Sequence, residues 1–256
     1  MKEKRLIAIG DSFFYLSDHV EEGAFRFSEG VLKRLGRLLE GYRVVNLGIN
    51  GATTETWLTA PIEKGDAYLI FLGTNDWWST SLPIGSQRDY LSRTEGTILG
   101  NLGKIVGRIK SLSPGAMIFL CNPVERGDFV CVDDPFNFAK GSYESKNGRT
   151  LAEIANAIAS SCREENLFTI NTHDKSGFSC FNAVKFKRCF QGGKLVDLPY
   201  PNYIRGIYDP EEGIYPYPKE AIDMTYDGLH PSDLGAEKLA ETMYEGMKYI
   251  LEPKDF

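Results

Sequence analysis

Short apolar runs alternate along the chain with longer stretches in which apolar residues recur at helical spacing. Short apolar runs bounded by turn-forming residues are typical of the buried strands of a parallel sheet. The pattern predicts strands at Leu6–Ile9, Arg43–Leu47, Ala67–Leu72, Ala116–Leu120 and Leu167–Ile170. Because helical stretches separate these runs, we expect an α/β fold with a central parallel sheet and helices on both faces.

The intervening stretches show helical stripes with recognisable ends. Helices are predicted at Val31–Leu39 with Gly41 as the C-cap, at Ile98–Ile109 before Pro114, after a capping box of Thr150 and Glu153, and at Ser232–Leu251. One region departs from this pattern: residues 178–226 are rich in Phe, Tyr and Pro but have no convincing periodicity. Disordered segments are poor in aromatics, so we interpret this region as an ordered insertion.

Length and composition narrow the class of protein. The chain has 256 residues, of which 42% are hydrophobic, and we expect a single domain over 1–256 that includes the insertion. No segment approaches the roughly 18 uninterrupted apolar residues that a membrane span needs. The net charge is -6 and the basic residues cluster only at Lys185–Arg188, which argues against nucleic acid as a partner.

The amino terminus and the cysteines bear on the compartment. The apolar run after Lys4 and Arg5 is much shorter than a signal-peptide core, so we expect a cytoplasmic protein, or a secreted or periplasmic one from which a leader has been removed. The cysteines number five and show no CxxC spacing, which indicates reduced structural thiols rather than a disulfide framework or a zinc site.

Four short motifs follow predicted strands or precede the last predicted helix. They are Gly10-Asp11-Ser12, NLGING at residues 46–51, LGTND at residues 72–76, and DGLHP at residues 227–231. In open parallel sheets, ligands bind at the carboxyl ends of the strands, where three of these motifs lie. Acyl transfer to water needs a nucleophile, a base, a group that orients the base, and donors for the developing oxyanion. The four motifs contain residues for each of these roles.

His230 is the best-placed base among the three histidines, His19, His173 and His230. Asp227 precedes it by three residues across a glycine turn, where a carboxylate can fold back onto the imidazole. A lone DGLH sequence would be a weak signal, since Asp-Gly turns are common before helices. Ser12 alone could equally be a helix cap, and Asn75 alone an ordinary turn residue.

Together the four motifs resemble the sequence blocks of the SGNH hydrolases, also called GDSL esterases and lipases. The resemblance implies a flavodoxin-like three-layer fold with a central five-stranded sheet, and an enzyme without metal or cofactor. It identifies Ser12 as the nucleophile, His230 as the general base and Asp227 as its orienting acid. The oxyanion hole of this family corresponds to the backbone amides of Ser12 and Gly51 and the side-chain amide of Asn75. From the residue type alone, we expect Gly51 to allow a close backbone approach that a Cβ would obstruct.

The substrate is less well specified. Trp77 and Trp78 follow Asn75, and either could border the cleft and stack on a sugar ring or pack under a loop. The tyrosines of the insertion could cover the site or pack on the surface. We expect a serine esterase that removes a small acyl group, often acetyl, from a carbohydrate or other small polar alcohol. The alternatives are a lipase, lysophospholipase or thioesterase for longer acyl chains, and a non-catalytic binding module. The oligomeric state is not predicted.

Overall fold

The structure is a computed structural model and describes residues 3–252. Its strands are β1 (Lys4–Gly10), β2 (Tyr42–Asn46), β3 (Ala67–Phe71), β4 (Met117–Cys121), β5 (Phe129–Val130), β6 (Phe138–Ala139), β7 (Leu167–Ile170), β8 (Lys187–Gln191) and β9 (Lys194–Leu198). Its α-helices are α1 (Ser12–Tyr15), α2 (Val31–Leu38), α3 (Thr56–Thr59), α4 (Thr74–Ser79), α5 (Gln87–Ser92), α6 (Ile98–Leu112), α7 (Leu151–Ser161), α8 (Thr172–Lys175) and α9 (Asp233–Leu251). Short 3₁₀ helices lie at Val20–Gly23, Asn202–Arg205, Pro210–Glu212 and Lys219–Ala221.

The central sheet has five parallel strands in the order β2-β1-β3-β4-β7. Counted along the chain this order is 2-1-3-4-5, which is the flavodoxin-like arrangement. All five predicted strands are confirmed, with boundaries that differ by two residues at most. The predicted α/β class with a central five-stranded parallel sheet is therefore correct.

Alternate residues of each strand feed two separate cores, one on each face of the sheet. Leu6 and Ala8 of β1 face the core that α2 and α9 cover, whereas Ile7 and Ile9 face the core that α6 and α7 cover. Because strands buried on both faces need apolar residues at every position, β1 and β3 appear in the sequence as continuous apolar runs. The layers on either side hold the strand ends in place.

The predicted helices are confirmed, with one correction at a helix end. Thr150 and Glu153 form the capping box of α7, and Ser232 caps α9 by accepting a hydrogen bond from the Gly235 amide. Gly41 is not the C-cap of α2, because the helix ends at Leu38 and Leu39 already has an extended backbone. Gly41 instead has a φ of +73° in the turn that leads into β2, a conformation that glycine adopts without steric cost.

The insertion at residues 178–226 is more regular than its sequence indicated. It contains the antiparallel hairpin of β8 and β9, which turns at Gly192 and Gly193, both with positive φ. A Gly-Gly pair between two strands is a recognised hairpin signal, and it was present in the sequence. The remaining insertion consists of 3₁₀ turns around a small aromatic core of its own.

Candidate active site

The first strand ends in a turn that exposes one hydroxyl. Asp11 caps α1 by accepting a hydrogen bond from the Phe13 amide at 3.0 Å, and Ser12 is the first helical residue. Gly10 is required by packing, because a Cβ there would lie 2.5 Å from the Phe14 ring. Since α1 is a single turn, free amides rather than a long helix dipole provide the positive potential near Ser12.

The tail of the chain brings a histidine to this hydroxyl. His230 Nε2 lies 2.9 Å from Ser12 Oγ, and His230 Nδ1 lies 2.7 Å from Asp227 Oδ2. Asp227 Oδ1 accepts hydrogen bonds from the backbone amides of Leu229 and His230, at 2.9 and 2.7 Å. The carboxylate is thus fixed by its own turn. Gly228 allows this turn, because its φ is +90° and a Cβ would lie 1.8 Å from the Asp128 carbonyl oxygen.

Aromatic rings surround the imidazole and limit its orientation. Tyr226 stacks on the His230 ring with an interplanar angle of 26°, and Phe129 meets it edge-on with ring centroids 5.6 Å apart. With Nδ1 donating to Asp227, the neutral ring has Nε2 free to accept the Ser12 proton. The three residues therefore have the geometry of a nucleophile, a base and an orienting acid.

Two further loops place amide donors beside Ser12. Asn75, in the first turn of α4, donates through Nδ2 to the Ala52 carbonyl oxygen at 3.0 Å and makes a longer contact of 3.4 Å with Asp11 Oδ2. Gly51 and Asn75 line the same cavity as Ser12. Within residues 3–252, the backbone amides of Ser12 and Gly51 have no hydrogen-bond acceptor. The two backbone amides are thus free to bind a substrate oxygen, whereas Asn75 can do so by giving up its longer contact with Asp11 Oδ2.

Gly51 has a structural reason of its own. A Cβ built at Gly51 would have no protein atom within 4 Å, so packing against the described residues does not require glycine. The backbone φ of +72° does, because this left-handed conformation is costly for residues with a Cβ. The close approach of this backbone to a substrate oxygen stays a prediction.

Asp76, in helix α4 after β3, binds the loop that follows β2. Its carboxylate is fully buried and accepts hydrogen bonds from the Thr54 amide at 3.0 Å and from the Thr54 hydroxyl at 2.5 Å. Burial raises the pKa of Asp76 to about 6, although the bonds from Thr54 lower it. Burial also raises the pKa of Asp11 to about 7, opposed by the Phe13 amide and the nearby His230. Two carboxyl groups beside the site are therefore poised near neutral pH.

The two tryptophans have different positions. Trp78 is half-buried and lines the cavity. Trp77 is fully buried in the core beneath α4, where its Nε1 donates to the Arg149 carbonyl oxygen at 3.2 Å. The expectation that Trp77 borders the cleft is therefore wrong, because successive helical residues point about 100° apart.

The cavity has a volume of about 360 Å³, and its wall combines apolar surface with a smaller share of polar surface. Besides the residues above, charged and polar side chains from other elements line it: Glu22, Asn50, Arg126, Asp133 and Asn137. Sequence analysis missed Arg126 in particular, since a single arginine in a loop carries no motif. In the described part of the chain, the side chains close enough to share a metal ion are His19, Glu21 and Glu22, at the surface.

The insertion supports this wall from behind. The segment 126–133 contributes five wall residues: Arg126, Phe129, Cys131, Val132 and Asp133. Tyr217 Oη donates to the Asp128 carbonyl oxygen at 2.6 Å, and Tyr215 Oη donates to the Val130 carbonyl oxygen at 2.8 Å. None of the five insertion tyrosines considered as a cover (Tyr200, Tyr203, Tyr208, Tyr215 and Tyr217) lines the cavity. They pack beneath its wall.

Lys187 of the insertion completes this support. Its ammonium group lies 2.8 Å from Asp128 Oδ2, and both side chains are more than nine-tenths buried. Desolvation raises the pKa of Asp128, but Lys187, Tyr143 and Lys140 outweigh it, so the net pKa is lowered.

The five cysteines are free, and Cys131 is the one that reaches the cavity. No helix within residues 3–252 has both the length and the apolar character to cross a membrane.

Comparison with known proteins places this site in a family. Residues 8–183 match the model of the GDSL-like Lipase/Acylhydrolase family, a match that ends before Asp227 and His230. A search of curated proteins found no match. Among solved structures, a protein described as a possible lipase from Chitinophaga pinensis is 38% identical with a TM-score of 0.93, over 97% of this chain and 99% of that one.

A second solved structure is similar in fold alone. It is a mutant of Axe2, an acetyl-xylooligosaccharide esterase from Geobacillus Stearmophilus, and it is 19% identical with a TM-score of 0.55 over 100% of both chains. The family model covers more than half of the chain, and the motifs that it matches lie at the strand ends described above. The chain belongs to the GDSL-like lipase/acylhydrolase family and is a hydrolase of that family.

Proposed function

We propose that the protein is a serine esterase that deacetylates a carbohydrate or another small polar substrate through an acyl-enzyme. The contact that carries this proposal is the 2.9 Å separation of Ser12 Oγ and His230 Nε2, with Asp227 on the far nitrogen. These atoms lie at the wall of a cavity that also contains Asn75 and Gly51. Nucleophile, base and donors thus share one space that can hold a substrate.

In the proposed reaction, Ser12 Oγ attacks the ester carbonyl while His230 Nε2 takes the hydroxyl proton. The carbon–oxygen bond forms as the carbonyl π electrons move onto oxygen, and the oxyanion accepts hydrogen bonds from the Ser12 and Gly51 amides and from Asn75. Collapse of this intermediate expels the alcohol oxygen, which takes the proton from His230. Water repeats the sequence on the acyl-serine and releases the acid.

Asp227 has a defined part in both half-reactions. Each attack leaves a positive imidazolium on His230, and the buried carboxylate stabilises that charge and keeps Nε2 directed toward Ser12. The two backbone amides that bind Asp227 Oδ1 hold it in place throughout. We expect removal of the serine hydroxyl to lower kcat by at least about 10⁴-fold.

The polar side chains of the cavity support a small polar substrate. Although more of its surface is apolar than polar, the cavity of about 360 Å³ places several charged and amide side chains, together with the half-exposed Trp78, where they can orient such a substrate. An indole face can stack on a sugar ring. The alternative is a lipase, lysophospholipase or thioesterase with a longer chain, which the apolar residues Leu16, Phe129, Val132 and Leu229 in the same cavity favour.

The catalytic proposal is tested by labelling with a fluorophosphonate probe. Wild type should be labelled and Ser12→Ala should not, while both keep the same melting temperature. Equal labelling of the two proteins, or no labelling of wild type, would contradict the role of Ser12 and favour a non-catalytic binding module.

The acyl preference is tested with para-nitrophenyl acetate, butyrate, octanoate and dodecanoate. We expect kcat/KM to be highest for acetate or butyrate, because charged and amide side chains interrupt the apolar surface of the cavity. A maximum at octanoate or beyond would reject the acetyl-ester version in favour of the lipase alternative. Release of acetate from acetylated saccharides, with Ser12→Ala as the blank, then tests the carbohydrate.

A further inference from the structure

Arg126 is a buried cation at the wall of the active-site cavity. It lies in the loop after β4, its exposure is 2%, and it lines the same cavity as Ser12 and His230. Its guanidinium carbon lies 5.4 Å from the centre of the Trp77 ring and 5.5 Å from that of Trp78. The guanidinium is thus held beside the one tryptophan that reaches the cavity.

The hydrogen bonds of Arg126 leave one nitrogen unused. Nε donates to the Gly127 carbonyl oxygen at 3.4 Å, and Nη2 donates to the carbonyl oxygens of Lys140 at 2.8 Å and Ala139 at 3.3 Å. Nη1 has no acceptor within residues 3–252, and it is not among the polar side-chain atoms sealed from solvent without a partner. It therefore has two N–H groups at an accessible place on the cavity wall.

The charge of Arg126 has no direct counter-ion. Within residues 3–252, no carboxylate oxygen lies within 4.0 Å of its guanidinium. The carboxylates that act on it from farther away are Asp227, which is bound by His230 and two amides, and Asp128, which is bound by Lys187. Burial lowers the pKa of Arg126 to about 10, so the group is charged at neutral pH. A buried, unpaired charge is costly unless something that binds it compensates.

The other charges at the cavity indicate where an anion can bind. Lys146 lies over the Trp78 ring, with its ammonium nitrogen 3.9 Å from the ring centre, and adds a second positive charge beside Trp78. Among the residues that the structure describes, three carboxylates line the cavity, those of Glu22, Asp133 and Asp227. Asp227 is bound by His230, and Glu22 accepts a hydrogen bond from the Tyr15 hydroxyl at 2.7 Å. The positive charges beside Trp78 are those of Arg126 and Lys146, so this is where we expect an anion to bind.

We propose that Arg126 determines specificity by binding a carboxylate of the substrate through Nη1, so that the ester this enzyme hydrolyses is an anion. The proposal rests on the proposed esterase function and names the substrate class of that site. A carboxylate would complete the hydrogen bonds of the guanidinium and compensate its buried charge, which a neutral alcohol or amide cannot do. The acid group can be on the alcohol side or the acyl side of the ester.

Two matched substrate pairs test this proposal. Para-acetoxybenzoate is compared with para-acetoxybenzamide for an acid on the alcohol side, and mono-para-nitrophenyl adipate with its terminal amide for an acid on the acyl side. We expect wild type to prefer the charged member of one pair by about 10- to 100-fold in kcat/KM, the range for a hydrogen bond to a charged group. The quantity compared between variants is this charged-to-neutral ratio.

Arg126→Gln should reduce the ratio to about 1 or below, and Arg126→Lys should retain part of it, since it keeps the charge but not the directed N–H groups. Arg163→Gln is the matched control, because Arg163 is exposed and lies outside the cavity, and its ratio should equal that of wild type. If Arg126→Gln does not fold, the charged-to-neutral ratios of wild type and Arg126→Lys still test the proposal, because the ratio should be above 1 in wild type and lower in Arg126→Lys.

Two results would overturn the proposal: a wild-type ratio at or below 1 for both pairs, or an unchanged ratio in Arg126→Gln. Both are distinguishable from failure of the esterase function. If a fluorophosphonate labels Ser12 and the neutral esters are hydrolysed, the esterase stands and only the role of Arg126 is rejected. If neither labelling nor hydrolysis of any ester occurs, the proposed function itself has failed.

Discussion

The proposed catalytic cluster (Ser12, Asp227 and His230) and the insertion at residues 178–226 contribute to the cavity in different ways. Ser12 and His230 meet at 2.9 Å, and short bonds within their own turns hold them in place. The insertion touches this cluster through its last residue, Tyr226, whose ring stacks on His230. Its Lys187, Tyr215 and Tyr217 instead bind the segment from Asp128 to Val130 in the cavity wall. We infer that the cluster serves the reaction and that most of the insertion sets the shape of the space around it.

The insertion and the cluster are joined at the end of the insertion and through the wall. The Tyr226 amide donates to the His230 carbonyl oxygen at 3.0 Å, and the Val130 amide of the wall donates to the Asp227 carbonyl oxygen at 3.1 Å. Because Ser12 and His230 are held by bonds within their own turns, their substitution should lower kcat without unfolding the protein. Substitution of Lys187 or Tyr217, whose side chains bind the wall, should lower stability and affect the reaction through the wall.

After the loss of the Ser12 hydroxyl, the largest effect is expected at His230, the proposed base. His230→Ala removes the base, and we expect kcat/KM for para-nitrophenyl acetate to fall by about 10²- to 10⁴-fold, the range typical of general-base catalysis. His173→Ala is the control, because its ring bonds the Pro123 carbonyl oxygen and does not line the cavity. A kcat near the wild-type value in His230→Ala would show that His230 is not the general base.

Asp11 should make the stability of the protein depend on pH. Its pKa is raised from 3.8 to about 7 in the folded state, so folding favours the neutral acid. The contribution of Asp11 to stability is complete below about pH 4 and is lost as the pH rises through 7, because the unfolded chain then ionises more readily. Asparagine stays neutral and keeps an acceptor for the Phe13 amide.

We therefore expect Asp11→Asn and wild type to have equal stability near pH 4. At about pH 8 the variant should be more stable by roughly 4 kcal/mol, the equivalent of a rise in pKa from 3.8 to about 7. Urea denaturation at both pH values measures this difference in the free energy of unfolding. Asp76 also has a raised pKa, but it is present in both proteins, so its contribution cancels in the comparison. A difference that does not change with pH would show that Asp11 is not held neutral.

Substitution of Lys187 tests whether the insertion stabilises the cavity wall. Lys187→Met leaves the buried Asp128 carboxylate with Tyr143, the Gly141 amide and the more distant Lys140 at 3.8 Å. We expect a loss of about 3 kcal/mol in the free energy of unfolding, the lower end for breaking a buried ion pair. KM should rise more than kcat falls, because the wall moves and the catalytic turn does not.

Lys185→Met is the matched control for this experiment, since Lys185 is exposed two residues earlier. It should unfold at the same urea concentration as wild type. If Lys187→Met lowers kcat by as much as His230→Ala does, the insertion and the catalytic cluster are not separate.

The same contrast explains what the sequence could predict. Strand ends, turns and caps are local, so the placements of Ser12, Asp227 and His230 follow from short motifs and from the rule that ligands bind at strand ends. The pattern could not separate Trp77 from Trp78, because both are large aromatics and only packing decides which one faces the core. The position of the Arg126 guanidinium depends on hydrogen bonds to the carbonyl oxygens of residues 127, 139 and 140, and no sequence spacing predicts these contacts.

The insertion shows a second kind of limit. Its hairpin had a turn signal at Gly192-Gly193, but β8 lacks an apolar–polar alternation in sequence because one of its buried positions is a lysine, Lys187. A buried lysine is understandable only when its partner, Asp128, is known, and that residue is 59 positions away. Long-range polar pairs of this kind are invisible to periodicity.

The smallest effect is expected at Tyr217, and it separates packing from hydrogen bonding in the insertion. Tyr217→Phe keeps the buried ring but leaves the Asp128 carbonyl oxygen without the bond of 2.6 Å. We expect a loss of about 1 kcal/mol in the free energy of unfolding, measured by urea denaturation, with Tyr249→Phe at an exposed position as the control. A loss as large as that of Lys187→Met would mean that the hydroxyl, and not the ion pair, holds the wall. No loss at all would mean that aromatic packing alone is sufficient there.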